Sequence, residues 1–76
     1  MIAEKLKNVI LTTLDLDDWE ITDDTTAGEV PGWDSLSHVR VISAVEAEYK
    51  IRFSTKEVIR LHNVGDLQAL VNQKVG

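Results

Sequence analysis

Three residue types that together can perform nucleophilic catalysis lie close to one another in the chain: Asp34, Ser35 and His38. Ser35 and His38 are three positions apart, a spacing that places two side chains on one face of a helix. A catalytic triad needs its acid behind the histidine, where it orients the ring nitrogen remote from the serine, whereas Asp34 is the direct neighbour of the serine. The segment GWDSL also lacks the G-x-S-x-G turn, and no strand is predicted before it. The pattern argues against a hydrolase that acts alone, and we assign no catalytic residue.

Acidic side chains crowd the segment 15–24, which raises the question of calcium binding: Asp15, Asp17, Asp18, Glu20, Asp23 and Asp24. An EF-hand loop that begins at Asp15 needs glycine at its sixth place and glutamate at its twelfth, but the sequence has Glu20 and Thr26 there. The two histidines, His38 and His62, are far apart and have no further ligand at metal spacing. We therefore predict a solvated acidic loop, with a weak surface cation site as the alternative, and two surface histidines that bind no metal.

The length and composition restrict the class of protein. A chain of 76 residues allows one small domain, residues 1–76, with little room for a deep catalytic cleft. Its net charge of -5 argues against nucleic acid as a partner, because that requires clusters of lysine and arginine. There is no cysteine, which fits a reducing compartment, and Glu4, Lys5 and Lys7 interrupt any N-terminal membrane span or signal peptide. We expect a cytoplasmic monomer without a membrane span.

Hydrophobic residues at spacings of three and four predict a first helix and a long second helix. The first helix is predicted to place Ile2, Leu6, Val9, Ile10 and Leu14 on one face. The second follows Ser35 and is expected to bury Leu36, Val39, Ile42, Val45 and Tyr49. Between them, residues 15–34 show no period and predict a long loop, held by the apolar side chains Leu16, Trp19, Ile21 and Trp33.

Capping patterns predict two further helices. Ser54 and Glu57 have the spacing of a capping box, which starts a short third helix over residues 55–60. Asn63 and Asp66 form a second N-terminal signal, ahead of a last helix that reaches about Lys74. The predicted fold is all-α, a small four-helix bundle with a long first loop and a short third helix.

Ser35 itself has two interpretations. Asp34 or Ser35 can cap the second helix, a role worth about 1 kcal/mol. Alternatively Ser35 carries a phosphate ester, which the positive end of a helix stabilises by roughly 0.3–1 kcal/mol. The two roles are compatible if Asp34 caps the helix and Ser35 points outward. The neighbouring Trp33 either folds onto the core, which we expect because an exposed indole wastes apolar area, or forms an aromatic platform beside Ser35.

The chain resembles the acyl and peptidyl carrier proteins. The matching residues are Asp34, Ser35 and Leu36, followed by SHVRVISAVEAEYKIRF, and the later segment VGDLQALV. The resemblance implies an acyl-carrier-like bundle in which a phosphopantetheinyl transferase, the holo-carrier synthase, attaches 4′-phosphopantetheine from coenzyme A to Ser35. Asp34 and Leu36 complete the motif. The thiol of this arm would hold acyl groups as thioesters in a chain that has no cysteine, and an apolar interior could shelter them. The protein would be a carrier and not an enzyme.

The resemblance also implies partner enzymes, namely an acyl ligase and condensing or acyltransferase enzymes, that contact the second helix. The expected contact residues are Ser37, His38, Arg40, Val41, Glu46 and Glu48. Carriers of bacterial fatty acid synthesis have acids at the positions of Ser37 and Arg40. Like charges that face each other across an interface cost affinity and exclude wrong partners. Arg40 therefore favours a different set of partners, and with it a specialised carrier over a housekeeping one. An aminoacyl or peptidyl carrier, and an unmodified helical adaptor, remain alternatives.

Overall fold

A computed structural model describes residues 2–75 and confirms the all-α prediction. Four helices form a small bundle, and a short 3₁₀ helix lies in the first loop. The helices are α1 (Glu4–Thr13), α2 (Ser35–Tyr49), α3 (Thr55–Ile59) and α4 (Val64–Val75), and the 3₁₀ helix is Ala27–Glu29. The predicted helix ends agree to within one residue for α3 and α4. Within residues 2–75 there is no strand.

The core is built from the helices on either side of the long loop. Its largest fully buried side chains come from α1, α2 and α4: Leu6, Ile10, Val41, Val45, Val64 and Val71. Helices α1 and α2 pack against each other, and Lys5 of α1 lies over the ring of Tyr49, 4.7 Å from its centroid. Burial of each such aliphatic side chain contributes about 1.5–3 kcal/mol.

The predicted buried face of α2 is partly wrong. Leu36 and Val39 are 73% and 61% exposed, whereas Val41 is fully buried, with Ile42 and Val45 beside it on the core side. Both sets of residues have helical spacing, because apolar side chains cover more than one face of this helix. Periodicity alone cannot choose between two such faces. The choice depends on which face α1 and α4 cover.

The long first loop is held down by fewer apolar residues than predicted. Ile21 and Trp33 are buried and Leu16 packs against the core, which confirms three of the four predicted contacts. Trp19 is 38% exposed, so its assignment to the core is wrong. The loop also contains the 3₁₀ helix Ala27–Glu29, which the absence of a hydrophobic period did not reveal.

Backbone hydrogen bonds fasten the same loop to the start of α4. The N–H of Val64 donates to the carbonyl of Thr25 at 2.8 Å, and that of Gly65 donates to the carbonyl of Asp23 at 2.9 Å. The first N–H groups of a helix have no partner within it, so the loop supplies acceptors that would otherwise be missing. The first loop and α4 therefore form one hydrogen-bonded unit.

Both predicted caps of the C-terminal half are confirmed. Ser54 N–H donates to Glu57 Oε1 at 2.8 Å and Glu57 N–H donates to Ser54 Oγ at 3.2 Å, which completes a capping box. At α4, the N–H of Asp66 donates to Asn63 Oδ1 at 2.8 Å. These caps need only residues three positions apart, which explains why the sequence predicted them.

We expect Gly65→Ala to destabilise the protein by about 1 kcal/mol. A Cβ at Gly65 would lie 2.7 Å from the carbonyl oxygen of Asp23, a backbone atom that cannot swing aside. Overpacking costs about 1–3 kcal/mol, which exceeds the helix propensity of about 1 kcal/mol that alanine gains over glycine. Thermal unfolding followed by far-UV circular dichroism measures the difference.

Gly28→Ala is the matched control for that substitution. A Cβ at Gly28 meets no atom within 4 Å, and Gly28 has no positive φ. Alanine there should leave stability unchanged or slightly raised, because it restricts the unfolded chain. A Gly65→Ala protein as stable as wild type would show that the loop does not need its close contact with α4.

Within residues 2–75, none of the helices has both the length and the apolar character that crossing a membrane requires.

Candidate functional site

A turn formed by local sequence delivers the chain to the start of α2. Gly32 has φ of +79°, a conformation that glycine adopts without strain. Pro31 precedes it, and Trp33 N–H donates to the carbonyl of Val30 at 3.2 Å. Proline followed by a glycine with positive φ is the pattern of a type II turn. The turn therefore leaves Asp34 and Ser35 at the entry to the helix.

Asp34 is the residue that caps α2. Its backbone is extended and its Oδ1 accepts a hydrogen bond from the N–H of Ser37 at 2.9 Å. Hydrogen bonds from the backbone N–H and the side chain of Ser37 lower the pKa of the Asp34 carboxyl group. Because Asp34 performs the capping, Ser35 is not needed for it.

Ser35 is the first residue of α2 and its side chain is exposed. Among residues 2–75, no hydrogen bond engages its hydroxyl group. The backbone N–H groups of the first turn give this end of the helix a partial positive charge, which favours an attached anion. The geometry leaves Ser35 able to carry a phosphate ester.

Trp33 and His38 form a pair beside Ser35. Trp33 is buried, as predicted, and its Nε1–H donates to His38 Nδ1 at 3.1 Å. The two rings stack at a centroid distance of 6.0 Å and an interplanar angle of 26°. His38 is half-buried, so it is exposed only in part, and desolvation lowers the pKa of its imidazole. Because an indole occupies Nδ1, no acid orients His38 as a triad requires.

The lowered pKa of His38 predicts that acid destabilises the folded protein. The unfolded chain binds a proton near the ordinary pKa of 6.5, before the folded chain does. Stability should therefore fall as the pH drops from about 7 through 6.5, and level off below the folded pKa. Urea unfolding at a series of pH values should show this slope in wild type and in His62→Gln, but not in His38→Gln. An equal slope in His38→Gln would contradict the prediction.

The residues predicted for partner contact do not all lie on the surface. Val41 is fully buried, so its prediction is wrong, and it belongs to the core. Arg40 and Glu48 are exposed, and Ser37 is half-buried. Glu46 is half-buried and its Oε2 accepts a hydrogen bond from the N–H of Phe53 at 2.8 Å, which fixes the connector after α2.

Two apolar side chains near Ser35 lie on the surface although the sequence predicted that they are buried. Leu36 and Val39 are exposed on α2, and Ile59 of α3 is also 72% exposed. Scattered exposed aliphatic residues are ordinary, but Leu36 and Val39 lie within four residues of Ser35 on the same helix. No signal in the sequence decides their exposure, because the face through Val41 has helical spacing as well.

Within the part of the chain that the structure describes, residues 2–75, no three histidine, aspartate or glutamate side chains are grouped so that they could hold a metal ion. His38 and His62, distant in sequence, do line one small cavity together.

A family model described as "Phosphopantetheine attachment site" matches residues 4–71. The acyl carrier protein of Streptococcus thermophilus is 38% identical over 73 residues, which cover 96% of this chain and 95% of that protein. The acyl carrier protein of Solidesulfovibrio magneticus is 29% identical over 75 residues, which cover 99% and 96%.

A solved structure agrees with these relatives. The solution NMR structure of a holo acyl carrier protein from Geobacter metallireducens superimposes with a TM-score of 0.86 at 37% identity, and covers 96% of this chain and 87% of that one. Fold, length and sequence agree over nearly all of the chain. This chain therefore belongs to the acyl carrier protein family, whose covalent prosthetic group is 4′-phosphopantetheine.

Proposed function

We propose that the chain carries acyl intermediates as thioesters on a phosphopantetheine arm attached to Ser35, and presents them to partner enzymes of a specialised pathway. The observation that carries this proposal is the exposed hydroxyl of Ser35 on the first turn of α2, with Asp34 as the cap. Residues 1–76 would act as one carrier domain with no catalysis of their own. The lack of cysteine supports a cytoplasmic setting.

The residues at this site fit a phosphodiester. The backbone N–H groups of Ser35 and Leu36 lie in the first turn, where the helix dipole favours negative charge. The Asp34 carboxylate accepts from Ser37 and is thereby held by the helix. When bound, the arm supplies the thiol that this chain lacks.

The surface next to Ser35 supports a set of partners different from that of a fatty acid carrier. Exposed Leu36 and Val39 offer apolar contact, and Arg40 places a positive charge between them and the acidic end of the helix at Glu48. Partners would include the transferase that adds the arm, an acyl ligase, and condensing or acyltransferase enzymes. Those that dock on α2 would present an acidic or neutral patch to Arg40.

Incubation with coenzyme A and a broad-specificity phosphopantetheinyl transferase tests the attachment site. Intact-protein mass spectrometry should show one added phosphopantetheine, and fragmentation of the peptide that contains residues 33–40 should place it on Ser35. Modification of Ser37, or no modification, would contradict the proposal.

Arg40→Glu should improve acyl loading by enzymes of bacterial fatty acid synthesis, whose docking patches are basic. An exposed ion pair is worth roughly 0.2–1 kcal/mol, so the initial rate should rise about 1.4-fold to fivefold at low salt. The gain should shrink at high salt. Arg52→Glu is the control, since Arg52 is also exposed but lies on the connector after α2. An unchanged or lower rate for Arg40→Glu would show that the charge at position 40 does not decide which enzymes the carrier serves.

A further inference from the structure

Two spaces that share part of their lining lie near Ser35. An outer groove of about 470 Å³ is lined by Asp34 and Ser35, and an inner cavity of about 30 Å³ is lined by Val64 and Leu67 of α4. Both spaces share four lining residues, namely Ala27, Trp33, His38 and Leu61. These four side chains therefore lie between the groove at Ser35 and the apolar interior of the bundle.

The inner cavity is too small for a fatty chain. A water molecule occupies about 30 Å³ of liquid, so a cavity of this size admits a very small group at most. A longer chain would have to displace Trp33, which is only 8% exposed. Indole burial removes roughly 150–250 Å² from water, an area that the entering chain would have to replace.

The hydrogen bond between Trp33 and His38 holds the indole in this place. Indole nitrogen only donates, so Nδ1 of His38 must be unprotonated and the neutral ring carries its proton on Nε2. A protonated imidazole has no acceptor and would release the indole. The ionisable residues that line the two spaces are Asp34 at the start of α2, His38, and His62 ahead of α4.

We propose that Trp33 and His38 close the interior of the bundle to the cargo, so that this carrier holds a short or polar acyl group in the outer groove. The proposal rests on attachment of the arm to Ser35. A short or polar acyl group has little apolar area, so its free energy rises little when it stays in water. A fatty chain outside the bundle exposes apolar area at every methylene. The closed interior therefore selects against fatty cargo.

The proposal is tested with the full chain loaded from acetyl- and octanoyl-coenzyme A. Wild-type thioesters of both lengths should be cleaved by hydroxylamine at rates within about twofold. Trp33→Leu should open the interior and slow cleavage of the octanoyl thioester alone by about tenfold or more. Burial of two methylene groups favours the sequestered state of the octanoyl chain by a factor of that size, and hydroxylamine cleaves only the exposed state. His38→Leu, which removes the acceptor, should show the same effect, while His38→Asn, whose Oδ1 takes the place of Nδ1, should resemble wild type. Circular dichroism verifies that each variant is folded.

Nuclear Overhauser contacts locate the cargo directly. In wild type, a ¹³C-labelled octanoyl group should show none to the methyl groups of Val64 and Leu67. Octanoyl contacts to Leu67 in wild type, with cleavage slower than for acetyl, would overturn the proposal even though loading at Ser35 succeeded. Mass spectrometry of each sample reports the attachment site, so failure to modify Ser35 would instead overturn the proposed function.

A measurement on the unmodified chain tests the contact between Trp33 and His38 without the phosphopantetheine arm. The ¹⁵N–¹H signal of the Trp33 indole, identified in a Trp19→Phe background, should shift with the protonation of His38 as the pH is lowered. The shift should persist in His62→Gln and vanish in His38→Gln. If the chemical shift of the Trp33 indole did not change with the protonation of His38, the hydrogen bond between them could not be what closes the interior.

Discussion

Replacing Ser35 with alanine should abolish transfer of phosphopantetheine to the chain and leave the four-helix fold intact. The loss is complete because the hydroxyl oxygen is the atom to which we propose the phosphodiester is joined, and no cysteine offers another nucleophile. The fold survives because Asp34 caps α2 through Ser37 and Ser35 contributes no cap. Surface substitutions of this kind change stability by no more than about 0.5 kcal/mol.

The measurement is intact mass after incubation with coenzyme A and transferase, with circular dichroism on the same samples. Ser43→Ala is the control, since Ser43 is an exposed serine on the same helix but away from its first turn. It should load like wild type. Equal loading of Ser35→Ala and wild type would refute attachment at Ser35, and would leave the fold and the family untouched.

Leu6→Ala should destabilise the protein by about 2–5 kcal/mol, the cost of removing a fully buried leucine and leaving a cavity. Marginal stability makes this a large effect, since a domain of 76 residues is stable by only roughly 4–11 kcal/mol. Leu6 of α1 belongs to the same buried cluster as Val41 and Val71, so its loss affects three helices. Urea unfolding followed by circular dichroism should show a much lower midpoint with a similar slope.

Leu36→Ala is the matched control, because it makes the same chemical change at a side chain that is 73% exposed. It should change stability by no more than about 0.5 kcal/mol. The pair also tests the orientation of α2. If Leu36→Ala were as damaging as Leu6→Ala, the face through Leu36 and Val39 would be buried after all.

Features that depend on residues three or four positions apart were predictable from the sequence. The caps at Ser54 and Asn63 each need one partner within the next turn, and the structure contains both. A cap at Asp34 or Ser35 was predictable for the same reason, and the structure assigns it to Asp34. Ser35 could be singled out by its place at a helix start, and its neighbours Asp34 and Leu36 then indicated the family.

Features that depend on distant partners were not predictable. The buried face of α2 was misassigned at Leu36 and Val39 because two faces of that helix are apolar, and the resemblance wrongly implied a surface position for Val41. Trp19 and Trp33 lie in the same loop, yet only Trp33 reaches the core. The neighbouring sequence does not show which of two apolar faces, or which of two tryptophans, becomes buried.

The amino-acid sequence by itself determined the four α-helices and the starts of α2, α3 and α4, since capping and turn chemistry act within a few residues. The tertiary structure alone decided which face of α2 is covered, that Trp33 donates to His38, and that this pair stands between Ser35 and the interior. The physical reason is that burial is settled by packing between helices, and several arrangements satisfy the same hydrophobic period until α1 and α4 occupy one side.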